Sequence, residues 1–145
     1  MFKHLLIPIA SEEMIKMTLK TVASLVRADN ARVTLVHISE PLPLYMYESS
    51  AYHFQTAEDT HKKNCEQYAK KLFDLASKEL GNTIKCETAH HYNVNVFEGI
   101  IEAAEKCKAE VIVMASHKRS GLAGIFMGSE TNAVIKNTKL PVLVI

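Results

Sequence analysis

Apolar runs rich in branched side chains recur along the whole chain, each separated from the next by a stretch of helical periodicity. This alternation constrains the fold more than any other feature. A strand covered by helices on both faces has no wet side, so it loses the two-residue rhythm of a half-exposed strand. The first run, Leu5-Leu6-Ile7-Pro8-Ile9, has no such rhythm. Ser11 follows as a helix cap, with Glu12 and Glu13 placing negative charge against the positive end of the helix dipole. Ile15, Leu19, Val22 and Val26 then return at helical spacing.

Residues 32–38 (RVTLVHI) are rich in β-branched side chains and predict a second strand, ended by the turn chemistry of Ser39-Glu40-Pro41. No periodicity survives over residues 41–55, which read as a long loop: a lid, a binding surface or a connector. Cys65, Tyr68, Leu72 and Leu75 mark the longest helix, with Glu66/Lys70 and Asp74/Lys78 one turn apart on its wet side and Gly81 at its stop. Residues 84–90 alternate, as an edge strand does. Asn95 is placed to cap a third helix that carries Val96, Ile100, Ala104 and Cys107 inward, and residues 110–114 (EVIVM) form another buried strand. A last helix begins near Ser129. The closing Pro141-Val142-Leu143-Val144-Ile145 is a short strand with proline at its first residue, where a missing donor is tolerable.

Five strands and four helices in strict alternation, with right-handed crossovers, leave few topologies. The expectation is one domain over residues 1–145: an open five-stranded parallel sheet, Rossmann-like, in the order 3-2-1-4-5, with helices on both faces. Strands one and four are the most continuously apolar and belong near the centre. The gap between their carboxyl ends is then the switch point where such sheets take ligands.

Seventeen basic and sixteen acidic residues leave a formal charge of +1. No broad field recruits nucleic acid or an anionic membrane, so any preference for anions is local. The three cysteines are widely spaced, form no Cys-x-x-Cys pair, and read as core thiols of a reducing compartment. No run approaches the ~18 apolar residues of a bilayer span, and a cytoplasmic location is expected. Adjacent His90 and His91 point to opposite faces of a strand and disfavour a shared metal. His117 is the histidine the reading places near the crevice.

Chemistry at the switch point rests on Ala115 to Thr131, ASHKRSGLAGIFMGSET. A helix start at Gly128-Ser129 offers unpaired backbone donors and a partial positive charge, with no Cβ in the way. Lys118 and Arg119 lie in the preceding loop. Ser129 as an ordinary cap beside a solvated loop explains the same residues. The end of strand one lacks the acidic cluster of a metal-holding phospho-acceptor and the Ser/Thr/Gly run of a flavin phosphate loop. Ser116 beside His117 is no catalytic pair, because base and nucleophile must meet in space and be oriented by a third group.

Taken together, FKHLLIPIASEE, VTLVHI, EGIIEAAEKCKAEVIVMASH and GLAGIFMGSETNAVIKNTKLPVLVI resemble the universal stress proteins over nearly the whole chain. In nucleotide-binding members the strand-four loop reads Gly, two residues, Gly, nine residues, then Gly followed by Ser or Thr. The matching positions here are Ala115, Lys118, Gly128 and Ser129, with residues 119–127 as the intact nine-residue gap. The family pattern after strand one is Pro, one residue, Asp; here it is Pro8-Ile9-Ala10. The missing carboxylate removes a charge-assisted hydrogen bond of roughly 1.5–3 kcal/mol, about one to two decades in affinity.

The resemblance implies a non-catalytic stress-response binding module with ATP or AMP as its ligand. Adenosine would lie between Pro8, Ile9, Ala10 and Val36, and phosphates against Ala115, Ser116, His117, Lys118, Gly128 and Ser129, with Met114, Glu130 and Thr131 as further cofactor-binding residues. It also implies a homodimer paired through Pro141, Val142, Leu143, Val144 and Ile145. Two readings from other classes stay open. One is a nucleotide hydrolase or adenylate-forming enzyme in the same crevice. The other is an interaction protein without a ligand, using residues 41–55.

Overall fold

The computed structural model describes residues 1–43, 51–116 and 128–145, and of residues 51 and 52 the backbone alone. Strand β1 (His4–Pro8) lies between β2 (Arg32–Ser39) and β4 (Val111–Met114), with β3 (Cys86–Tyr92) beyond β2 and β5 (Val142–Val144) beyond β4. All pairings are parallel, in the expected order β3-β2-β1-β4-β5. Helices α1 (Glu12–Asp29), α2 (Ala51–Leu80), α3 (Val96–Cys107) and α4 (Ser129–Asn137) make the connections.

The sheet divides the core in two, which explains the missing alternation in β1. Leu5 and Ile7, with Ile9 just beyond the strand, face α1 and α2, where Ile15, Leu19, Val22, Leu72, Ala76 and Leu80 are buried. Leu6 faces the other way, among Val36, Ile38, Ile112 and Met114, with Ile100, Ala103 and Ala104 of α3 and Val134 of α4. Each strand residue therefore meets a helix, whichever side it is on.

Helix α1 begins as expected: Ser11 is extended (φ −153°, ψ 162°) and its Oγ accepts from the Met14 N–H at 3.3 Å. It ends at Asn30 in the left-handed region (φ 49°), whose N–H bonds the Arg27 and Val26 carbonyls. Helix α2 stops at Gly81, where φ is +85°. Lys70 pairs with Asp74 at 2.8 Å, instead of the Glu66–Lys70 pairing of the sequence reading.

Three local expectations are corrected. Residues 51–55 belong to α2 and not to a loop, while residues 44–50 lie outside the described residues. The stripe of α2 runs back from Cys65 through half-buried His61, Ala57 and Phe54; His61 is too polar and Ala57 too small to carry the apolar periodicity back to Phe54. Strand β3 is Cys86–Tyr92, two residues later than expected. Ile84 is buried, but its N–H closes a turn onto the Gly81 carbonyl at 3.4 Å, so it plugs the core ahead of the strand. Asn95 precedes α3 without a side-chain cap bond, and its own N–H donates to Asn93 Oδ1 at 2.9 Å. No helix among the described residues is long and apolar enough to cross a membrane.

Candidate functional site

Beyond the carboxyl ends of β1 and β4 the chain departs to opposite faces of the sheet, toward α1 and α4. The divergence opens a cleft of about 420 Å³. Pro8, Ile9, Ala10, Val36, Met114, Ala115, Gly128, Ser129, Glu130 and Thr131 all line it, so the structure gathers ten of the thirteen anticipated residues. Ser116 turns away: its N–H and its hydroxyl both donate to the Ile145 carbonyl, at 2.6 and 2.8 Å, fastening the end of β4 to the last residue. His117 and Lys118 lie outside the described residues.

The β1 side of the cleft is held at three points. The Ile9 N–H donates to the Val36 carbonyl at 2.8 Å, extending the β1–β2 ladder past the strand. His37 Nδ1 bonds the Ile9 carbonyl at 2.7 Å. A carbonyl only accepts, so this nitrogen carries a proton. Tyr68 of α2 donates its hydroxyl to the Ala10 carbonyl at 3.2 Å and meets the His37 ring edge-on, centroids 5.5 Å apart.

The opposite rim is the amino end of α4. Gly128 is its N-cap and Ser129 its first residue, so the serine does not cap the helix. No side chain caps it at Gly128, in contrast to Ser11 on α1. The first intrahelical bond runs from the Asn132 N–H to the Gly128 carbonyl at 3.1 Å, and the N–H groups before it have no partner of that kind. At φ −60° and ψ 157° Gly128 is in a conformation open to any residue. The value of glycine here is its bare Cα in front of those donors. Thr131, buried, donates its hydroxyl to the Ala115 carbonyl at 3.3 Å and ties α4 to the end of β4.

Between the rims the wall is apolar: Ile38 of β2, Val96 and Ile100 of α3, and Met114. Among the described lining residues Glu130 carries the one formal charge, a carboxylate in the first turn of α4 where the helix dipole favours it. His90 stacks near His37 at 5.7 Å, and its pKa is lowered, first by burial and then by the His37 ring. The arrangement suits a flat, largely apolar ligand with an anionic end directed at α4.

Sequence reasoning missed Met14, His37, Ile38, Val96 and Ile100. The signal for His37 was present in the register. Pro8 is paired with Val36, so the residue after Val36 flanks the turn that leaves β1.

An open parallel sheet, wrapped by helices and cleft at its switch point, defines a doubly wound α/β protein. Within that class the chain belongs to the Universal stress protein family, whose model matches residues 1–145. It is 27% identical over 145 residues to a universal stress protein of Methanocaldococcus jannaschii, covering 100% of this chain and 82% of that one. The solved structure of the hypothetical protein MJ0577 superimposes with a TM-score of 0.77 at 27% identity, over 100% of this chain and 96% of the other. The universal stress protein from Archaeoglobus fulgidus in complex with dAMP shares the fold, with a TM-score of 0.64 at 16% identity over 97% and 94% of the two chains.

Proposed function

We propose that this universal stress protein is a cytoplasmic binding module without turnover chemistry, whose switch-point cleft takes an adenine nucleotide. The observation that carries the reading is the uncapped amino end of α4 at Gly128 and Ser129, facing an apolar wall across one cleft. The dAMP complex of a protein of the same fold supports it. The base and sugar would lie along Pro8, Ile9, Ala10 and Val36, and phosphate against the first N–H groups of α4, with Lys118 available from the loop sequence.

Hydrolysis or adenylation would need carboxylates free to hold a metal near the phosphates. Of Glu12, Glu13 and Glu130, the carboxylates closest to the crevice in sequence, Glu12 is engaged with Lys71 of α2 at 2.7 Å, which holds its carboxyl below the ordinary range, and Glu130 lines the cleft. With Glu130 the one carboxylate among the described lining residues, the cleft favours retention of ligand over turnover. We also read β5 as the strand through which two copies pair, because Leu143 on it and Ile135 of α4 remain exposed beside an edge that no described strand of this chain covers.

Equilibrium titration with AMP, ADP and ATP, with and without magnesium, tests the ligand. Saturable binding is expected, weakened at least about tenfold by Gly128→Glu, which sets a side chain and a like charge before the helix donors. ATP recovered intact after incubation is expected from a binding module. The absence of saturation at millimolar nucleotide removes the assignment, and steady turnover removes its non-catalytic part.

A further inference from the structure

At the opposite end of the sheet, beneath the leading ends of β1, β2 and β3, lies a groove of about 750 Å³. Lys3, Arg27, Arg32 and Lys85 line it together with the polar side chains of Asn30 and Thr83, and no described lining residue is acidic. Four cations thus meet in one groove of a chain whose charges as a whole nearly cancel. Backbone bonds bring three of them into a row: the Arg32 N–H donates to the Lys3 carbonyl and the Val33 N–H to the Lys85 carbonyl, both at 2.9 Å. With strands about 4.8 Å apart, the row spans about 10 Å.

Among the described residues none of the four makes an ion pair; the pairs seen involve Met1, Lys62, Lys70 and Lys71. Lys3 Nζ donates to the Asp29 carbonyl and Arg27 Nη2 to the Leu80 carbonyl, each at 2.9 Å. These acceptors are neutral, so they fix the two cations in place without cancelling their charge. Two carboxylates lie at the Lys3 end of the row and keep their charge: Asp29, paired with the terminal amine at 2.7 Å and also sensing Lys3, and Glu110, which accepts from the Lys3 backbone N–H at 2.8 Å. The carboxyl ends of α1 and α2 also face this side, but two helix ends contribute about half a negative charge each against four full positive ones.

We propose that this groove is an anion site separate from the cleft, and that it takes a small, multiply charged phosphate chain. Several cations spread along about 10 Å match several linked phosphates better than one. The site is open to solvent, so its attraction is strong only where salt is low: the screening length grows from about 8 Å at 0.15 M to about 30 Å at 0.01 M.

Inorganic tripolyphosphate is the probe, titrated into the intact ¹⁵N-labelled protein at low ionic strength and followed by amide shifts. Saturable shifts are expected at Lys3, Asn30, Arg32 and Lys85, unaffected by AMP. Arg32→Gln and Lys85→Gln should each weaken binding about two- to fivefold, as loss of an exposed charge contact does, while Arg32→Lys retains it. The spectrum of each variant reports its folding. Shifts confined to Gly128, Ser129 and Glu130, no saturation, or an equal response to a glutamate-rich peptide would each overturn the proposal. Because the readout is site-resolved, failure here leaves the nucleotide assignment of the cleft untouched.

Discussion

Ala10 stands where the family pattern has a carboxylate, yet the backbone there is not loose, because Tyr68 and His37 hold two successive carbonyls of the turn. The neighbouring tie from Thr131 to Ala115 is part-buried, and Thr131→Val should cost about 1 kcal/mol of stability, the net value of one hydrogen bond, measured by urea denaturation. The same change should weaken nucleotide binding by letting the first turn of α4 move. His4 gives a test in pH. It is buried, its Nε2 bonds Thr34 Oγ1 at 2.7 Å, and its Nδ1 has no hydrogen-bond partner. Burial chiefly, then Arg32, lowers its pKa, with the Lys108 backbone, Glu87 and Glu110 opposing. The unfolded chain therefore takes up the proton first. Stability is full above the unfolded value of about 6.5 and falls as pH drops from there through the folded pKa, with a slope of at most about 1.4 kcal/mol per pH unit. His90 acts in the same direction. Unfolding midpoints followed from pH 7.5 to 5 should show the decline, and His4→Gln should flatten it.

At the scale of elements, the contact between α3 and β2 decides the width of the cleft. Gly99 lies inside α3, where helix propensity alone favours alanine by about 1 kcal/mol. A Cβ there would meet Ile38 Cγ2 at 2.9 Å and Cδ1 at 3.0 Å, with Asn93 Cβ at 3.2 Å. Overpacking of that kind costs about 1–3 kcal/mol, so Gly99→Ala should be net destabilising. It should also push Val96 and Ile100 away from Ile38, an effect visible as altered nucleotide affinity in the same protein. Gly81 is a different case: at φ +85° the cost of Gly81→Ala is backbone strain, about 1–2 kcal/mol, with no effect on the cleft at the far end of the sheet. Neither glycine's role is equally legible in the sequence. Gly81 follows a periodic run and announces a stop, whereas the reason for Gly99 lies in a strand some sixty positions earlier. Helix α2 shows the same division. Leu72 reads as core, but the helix turns at Phe54, Ala57 and His61 are half-buried by neighbours that periodicity does not record.

For the whole molecule, the order β3-β2-β1-β4-β5 leaves β3 and β5 as the edges. Strand β3 has no fully buried residue and carries Glu87, a charge that blunts an edge; β5 is short and apolar. If two copies join through β5, Leu143→Glu should convert a dimer to monomer in sedimentation equilibrium with the far-UV spectrum unchanged. A wild-type monomer at all concentrations would end that reading. The sequence by itself determined the class of sheet and pointed to its strand order and the position of the crevice, because burial on two faces shows in each strand's own residues and the handedness of crossovers leaves few orders. Only the tertiary structure decided which side chains share that crevice: His37 and Tyr68 brace its floor, Ser116 is spent on the last residue, and four cations gather at the far end. Those pairings depend on register and on which face each residue takes, and both are set by contacts between segments far apart in sequence.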